Sequence, residues 1–331
     1  MSRIAVIGAG AWGTALALVL ARGQRHQVSL WAFEKEVCES IGKTRTNDLF
    51  LPDVTLPPSV AVTNSLPAAL TGIQIALTVM PSHHARRLFG QMRASLSSDA
   101  IIVSATKGIE NDTDKRMTEI AAEIAGASRI AALSGPSFAK EVARGDPTAV
   151  TVASADPEVA GFIQREFSDP TFRVYTSDDV IGVELGGALK NVIAIAAGIV
   201  EGLHLGHNSA AALITRGLAE MTRLAVACGA RRETMSGLSG MGDLVLTCTG
   251  GLSRNRTVGV ELGRGRKLPD IMADMHGMVA EGVFTTDAAL GLARHHDLEM
   301  PITEQVHLIL HEEKSPKEAI RELMNRPGKE E

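Results

Sequence analysis

Short apolar runs alternate with helical stretches along the first half of the chain, and the alternation stops near residue 177. The runs RIAVIG (3–8), QVSLWAF (27–33), VAVT (60–63), IQIALTV (73–79) and AIIVSAT (100–106) have the length and β-branched content of buried strands. IAALSG (130–135), TAVTVAS (148–154) and FRVYTS (172–177) continue the series, and helices are expected at 11–23, 112–125 and 157–167. Strands separated by helices predict a mainly parallel sheet covered on both faces, with the last strands either continuing it or forming an antiparallel or mixed edge.

Beyond 177 the pattern becomes Ala/Leu-rich, with helices expected at 178–200, 208–228, 254–263, 287–295 and 302–311. A final helix lies within 312–325, where Ala319, Ile320, Leu323 and Met324 form an apolar stripe. The expected organisation is therefore an α/β domain at 1–185 and an all-helical domain at 186–331. The apolar stretch 192–200 has about half the ~20 residues of a membrane span and reads as a buried helix.

Composition narrows the picture. Of 331 residues, 45% are hydrophobic and 21% charged, as in an ordered globular protein. A net charge of −5 gives no global attraction to nucleic acid or to an anionic membrane, so neither is expected as a partner. Three scattered cysteines (Cys38, Cys228, Cys248) suggest neither a disulfide framework nor a metal knuckle, and with no signal peptide apparent the expected location is the cytoplasm.

Candidate chemistry starts at GAGAWG, where Gly8, Gly10 and Gly13 fall between a predicted strand and a predicted helix. Such a turn lets backbone approach a pyrophosphate while the helix N-terminus supplies amide donors, and Trp12 is placed to cover the ligand. At the end of the second strand, Glu34 suits a ribose hydroxyl and Lys35 an extra phosphate, leaving NAD against NADP open. Lys107 and Ser137 follow predicted strands, where carboxyl ends open into a crevice. Lys190 stands in the otherwise apolar or small run ELGGALKNVIAIAAG; a lysine there must be paired, at a cleft, or tuned for proton exchange. Asp243 and Thr247, four residues apart, would share a helix face, and GGLSRNR offers Arg254 as a phosphate clamp. The histidine pairs 83/84, 204/207 and 295/296 lack a clear ligand shell, so no metal is expected.

Taken in order, GAGAWGTALA, SATKGIE, SGPSFAKEV, ELGGALKNVIAIAAGI, GLSGMGDLVLTC, GLSRNR and VAEGV resemble the bacterial NAD(P)-dependent glycerol-3-phosphate dehydrogenase family over nearly the whole chain. The resemblance implies a Rossmann-type N-terminal domain, an all-helical C-terminal domain and an active site in the interdomain cleft. It implies reversible reduction of dihydroxyacetone phosphate to sn-glycerol 3-phosphate with NAD(H) or NADP(H), for glycerophospholipid synthesis, and allows a homodimer. Lys190 matches the family's acid/base lysine, with Asp243 as its catalytic partner. Lys107, Gly135, Ser137, Asp243, Thr247, Ser253, Arg254 and Asn255 match the substrate side. Gly8, Gly10, Ala11, Trp12, Gly13, Phe33, Lys107, Ala139, Arg254, Val279 and Glu281 match the cofactor side. Ala11 replaces a frequent serine, and Phe33 a frequent basic residue near the adenosine ribose. The alternatives are another two-domain hydroxyacid or hydroxyacyl-CoA dehydrogenase, which need not combine GALKN with GLSRNR, and a dinucleotide sensor, which needs no Lys190–Asp243 pair.

Overall fold

The computed structural model describes residues 1–275, 278–328 and 330, and the chain divides into two compact units. The first comprises Met1–Lys107 and Lys115–Glu184, the second Gly108–Asp114 and Leu185–Glu331. A single boundary near 185 does not express the transfer of Gly108–Asp114 to the second unit.

In the first unit the strands are β1 (Ser2–Ile7), β2 (His26–Trp31), β3 (Thr46–Asn47), β4 (Leu51–Thr55), β5 (Val60–Thr63), β6 (Ile75–Thr78), β7 (Ile101–Ser104), β8 (Ile130–Ser134), β9 (Thr148–Ala153) and β10 (Phe172–Ser177). Eight form one sheet in the order β10-β9-β8-β7-β6-β1-β2-β5, while β3 and β4 make a separate two-stranded ribbon. The chain goes from β1 to one side through β2 and β5 and then to the other through β6, β7 and β8, which is the doubly wound order with its switch point beside β1. The two-residue period of β1 divides its side chains between two cores. Ile4 and Val6 join the apolar faces of helices Ala11–Ala21 and Pro157–Phe167, whereas Ala5 and Ile7 join those of Leu66–Leu70 and Ala85–Met92.

The far edge is mixed: β8 and β9 pair antiparallel, Leu133 opposite Val152, and β9 and β10 pair parallel. The helix expected over 112–125 is shorter. It begins at Met117, because Asp114 is left-handed (φ 56°) and the Glu119 carboxylate accepts from the Arg116 amide at 2.8 Å, closing the helix start there. After Ile120 it widens into a π-type turn, Ala121–Ala125.

The second unit is built of helices. Val180–Gly202 contains the division between the units; it is long and apolar enough to cross a membrane, so the apolar segment exceeds the 192–200 stretch read from sequence. With 89% of its most apolar window buried within the protein, it has the packing of a core helix. It is followed by His207–Ala227, Arg232–Met235, Asp243–Thr249, Arg254–Gly263, Leu268–Asp274, Glu281–His295, Pro301–His311 and Pro316–Met324. Val180–Gly202 and Arg254–Gly263 meet backbone to backbone. A Cβ on Gly198 would overlap the Arg256 carbonyl oxygen, and one on Gly259 would overlap that of Ile195. Only glycine permits this crossing, which sets helix Arg254–Gly263 against the last two turns of Val180–Gly202.

Candidate functional site

The loop after β1 is shaped by what cannot fit in it. Gly8 has φ 120°, and a Cβ there would lie 3.0 Å from the Val79 carbonyl group; a Cβ on Gly13 would overlap the Gly8 carbonyl oxygen. Gly10, the N-cap of helix Ala11–Ala21, faces open space, with no atom within 4 Å of where its Cβ would be. Asn47 on the β3–β4 ribbon pins the loop: its buried Nδ2 donates to the Ala9 carbonyl at 2.7 Å and to Thr14 Oγ1 at 2.8 Å. Trp12 packs 6.5 Å from Phe172, and its buried Nε1 has no hydrogen-bond partner among the described residues. Open space at Gly10, helix-start amides and an orphaned indole donor fit a dinucleotide pyrophosphate. Ala11, at the first helical position, adds backbone but no hydroxyl.

At the end of β2, Phe33 is 60% exposed, edge-on to Trp31, with the Arg87 guanidinium 5.5 Å above its ring. Arg87 thus supplies a cation where the sequence position holds phenylalanine. Lys35 turns away, 3.7 Å from Glu39 along its own helix. Beside Arg87, burial holds the His83 and His84 imidazoles below their ordinary range. His84 adds to this effect on His83, and Arg87 adds to it on His84, where Glu34 partly opposes it.

Past β7, Lys107 Nζ donates to the Gly135 carbonyl at 2.9 Å and to Ser137 Oγ at 3.3 Å, and Ser137 Oγ donates to the same carbonyl at 2.9 Å. β7 and β8 run parallel, which places Lys107 and Gly135–Ser137 at the same carboxyl edge. Ala139 begins the next short helix, Ala139–Arg144.

In the second unit Lys190 is buried and its ammonium pairs with Asp243 Oδ1, which has no exposed surface. Lys190 Nζ also donates to Thr247 Oγ1 at 2.9 Å, while Thr247 donates to the Asp243 carbonyl at 2.6 Å. The expected carboxylate and hydroxyl do share a helix face. The next residue, Cys248, is pushed up to about 12, chiefly by burial and against the attraction of Lys190. Asn255 bridges elements: its Nδ2 donates to Asn191 Oδ1 at 2.9 Å and its Oδ1 accepts from the Gly282 amide at 2.9 Å. Ser253 is the N-cap of its helix, its Oγ accepting from the Arg256 amide at 3.2 Å. Arg254 keeps an exposed side chain, yet nearby protein desolvates its guanidinium enough to lower its pKa, with Glu281 opposing. Val279 precedes, and Glu281 opens, helix Glu281–His295.

Asn47 and Arg87 escaped the sequence reading, since neither belongs to a motif and each acts through a contact distant in sequence. The cavity of about 690 Å³ beside Arg22, Arg144 and Asp169 is lined by none of the candidate residues.

A glycine loop at the switch point of a doubly wound sheet, together with a helical unit burying a lysine–carboxylate pair, defines a nucleotide-dependent dehydrogenase. Residues 3–160 match the N-terminal family of NAD-dependent glycerol-3-phosphate dehydrogenase and residues 179–321 its C-terminal family. The chain belongs to that family and is an NAD(P)-dependent oxidoreductase. Among relatives, the glycerol-3-phosphate dehydrogenase [NAD(P)+] of Koribacter versatilis is 67% identical, covering 99% of this chain and 98% of that protein. That of Acidobacterium capsulatum is 57% identical over the full length of both. The crystal structure of glycerol-3-phosphate dehydrogenase from Coxiella burnetii superposes with a TM-score of 0.94 at 42% identity, covering 98% and 99% of the two chains.

Proposed function

We propose that the chain interconverts dihydroxyacetone phosphate and sn-glycerol 3-phosphate with Lys190 as the proton donor and acceptor at the C2 oxygen. The observation that carries this assignment is the buried Lys190–Asp243 pair. An ammonium held by a carboxylate is oriented for one proton and positioned to stabilise a developing alkoxide. The Thr247 hydroxyl, its hydrogen committed to the Asp243 carbonyl, accepts from the ammonium beside the carboxylate, 3.5 Å from Asp243 Oδ1, and acts as a positioning residue. When bound, the reduced nicotinamide supplies the hydride that C2 accepts.

The remaining groups bind and orient. Ser253 Oγ accepts within its helix and keeps its own hydrogen for a phosphate oxygen; Asn255 retains a second amide hydrogen, and Arg254 brings the charge. Lys107, Gly135 and Ser137 serve the substrate, and Lys107 also the cofactor. The Gly8–Gly13 turn with Ala11 and Trp12, together with Phe33, Ala139, Arg254, Val279 and Glu281, serves the dinucleotide. A cytoplasmic homodimer that engages neither nucleic acid nor membrane completes the reading; light scattering and cell fractionation test it.

The reaction is tested by oxidation of NADH and NADPH with dihydroxyacetone phosphate, and the role of Lys190 by single-turnover hydride transfer in Lys190→Met. A turnover loss of at least ~100-fold is expected, with cofactor binding far less affected. Hydride transfer at the wild-type rate in the folded variant would remove Lys190 from the chemistry.

A further inference from the structure

We propose that Asp287, His307 and His311 bind one divalent transition-metal ion of the zinc type, stapling helix Glu281–His295 to helix Pro301–His311. His307 and His311 are four residues apart and share a helix face, their ring centroids 5.0 Å apart. Asp287 reaches them from the neighbouring helix, its Oδ1 2.8 Å from His307 Nδ1 and 3.5 Å from His311 Nε2. One ligand atom from each of the three residues falls within 4.8 Å of the others. Zinc bonds of about 2.0–2.1 Å in a tetrahedron place neighbouring donors about 3.3 Å apart, so the two Asp287–imidazole separations bracket the required one, and the third, within 4.8 Å, closes by rotation of the side chains.

The donor set selects the ion. Two imidazoles and one carboxylate suit zinc, cobalt or nickel, whereas magnesium and calcium prefer oxygen ligands throughout. Among the described residues Asp287 has no lysine or arginine partner, only the two imidazoles, so its charge is available to a metal. The side chains are 31%, 35% and 40% exposed for His307, His311 and Asp287, which leaves an approach path and room for water as a fourth ligand. The cluster shares no residue with the proposed catalytic set. Its consequence is structural: the helix carrying Asp287 begins at Glu281, and its Gly282 amide is held by Asn255.

The test uses chelator-treated full-length protein titrated with zinc chloride in a calorimeter. One zinc per chain with Kd below about 10 μM is expected, with a rise of a few degrees in the thermal midpoint and visible d–d bands when cobalt replaces zinc. His307→Ala and His311→Ala should each weaken binding at least ~10-fold while dihydroxyacetone-phosphate-dependent turnover stays unchanged. His307→Gln and His311→Gln serve if the alanine variants misfold. Cys228→Ser should still bind zinc, which separates this site from the Cys228–His296 contact at 3.5 Å. Wild-type affinity weaker than about 100 μM, or undiminished affinity in the doubly substituted protein, overturns the proposal.

Discussion

Asp243 has no exposed surface, so Lys190→Met takes the attracting ammonium away from a buried carboxylate. Lys190→Met should therefore lose about 3–5 kcal/mol of stability besides its activity, and adding Asp243→Asn should restore much of the stability but not the turnover. Urea unfolding alongside single-turnover kinetics separates the two effects. Arg254 keeps contact with solvent, which argues for the lower end of a charge-clamp effect. Arg254→Ala should cost about 2 kcal/mol, or ~30-fold in kcat/KM, toward dihydroxyacetone phosphate and much less toward dihydroxyacetone; equal losses on both would deny it the phosphate. The cation over Phe33 gives Arg87 a part in coenzyme choice, so Arg87→Ala should lower the ratio of NADPH to NADH specificity by about tenfold, measured at one ionic strength. For Cys248 the folded value of about 12 stands above the ordinary 9.0, so the unfolded chain ionises first and stability falls as pH rises above 9. Urea midpoints across that range should decline less steeply in Cys248→Ala.

Between helices, glycine has two opposite meanings that sequence alone does not separate. Gly42, inside helix Lys35–Thr44, would meet nothing within 4 Å with a Cβ, so Gly42→Ala should stabilise the protein by up to ~1 kcal/mol. Gly259→Ala drives a methyl into the Ile195 carbonyl and should destabilise by about 1–3 kcal/mol, raising KM as the Arg254 helix shifts. Denaturant midpoints of the two variants moving in the same direction would refute the packing account. The chain announces local features well. The strand-turn-helix around Gly8, Gly10 and Gly13 is contiguous, and Lys190 is conspicuous as the one cation in a long, largely apolar run, 184–198. Contacts between distant segments stay hidden. Asn47 needs the ribbon to bring it beneath the Ala9 carbonyl, and Glu220 needs folding to cap helix Pro301–His311 through the Ile302 and Thr303 amides at 3.0 and 2.9 Å. Asp287 likewise gains meaning only beside His307 and His311: their spacing of four stands in the sequence, but the carboxylate comes from another helix.

For the molecule as a whole, the chain enters the second unit at Gly108–Asp114 before returning to finish the first. Ile109 is 2% exposed, and Asp114 lies 3.5 Å from His295. A fragment ending at Glu184 loses the rest of that unit and leaves Ile109 without cover. Ile109→Ser should therefore reduce light scattering by the fragment yet destabilise the full chain by about 2–4 kcal/mol; an effect of the same sign in both would contradict this partition. Aromatic placement follows the same division. Both tryptophans, Trp12 and Trp31, and the single tyrosine, Tyr175, belong to the first unit, and Phe284 is the one Phe, Tyr or Trp after residue 185. The helical unit is accordingly almost dark in the near ultraviolet. Indole emission reports on the nucleotide loop and its sheet, whereas far-ultraviolet dichroism draws heavily on the helices beyond Leu185. One sample followed by both signals during denaturation would reveal whether the two parts of the chain come apart together or in sequence.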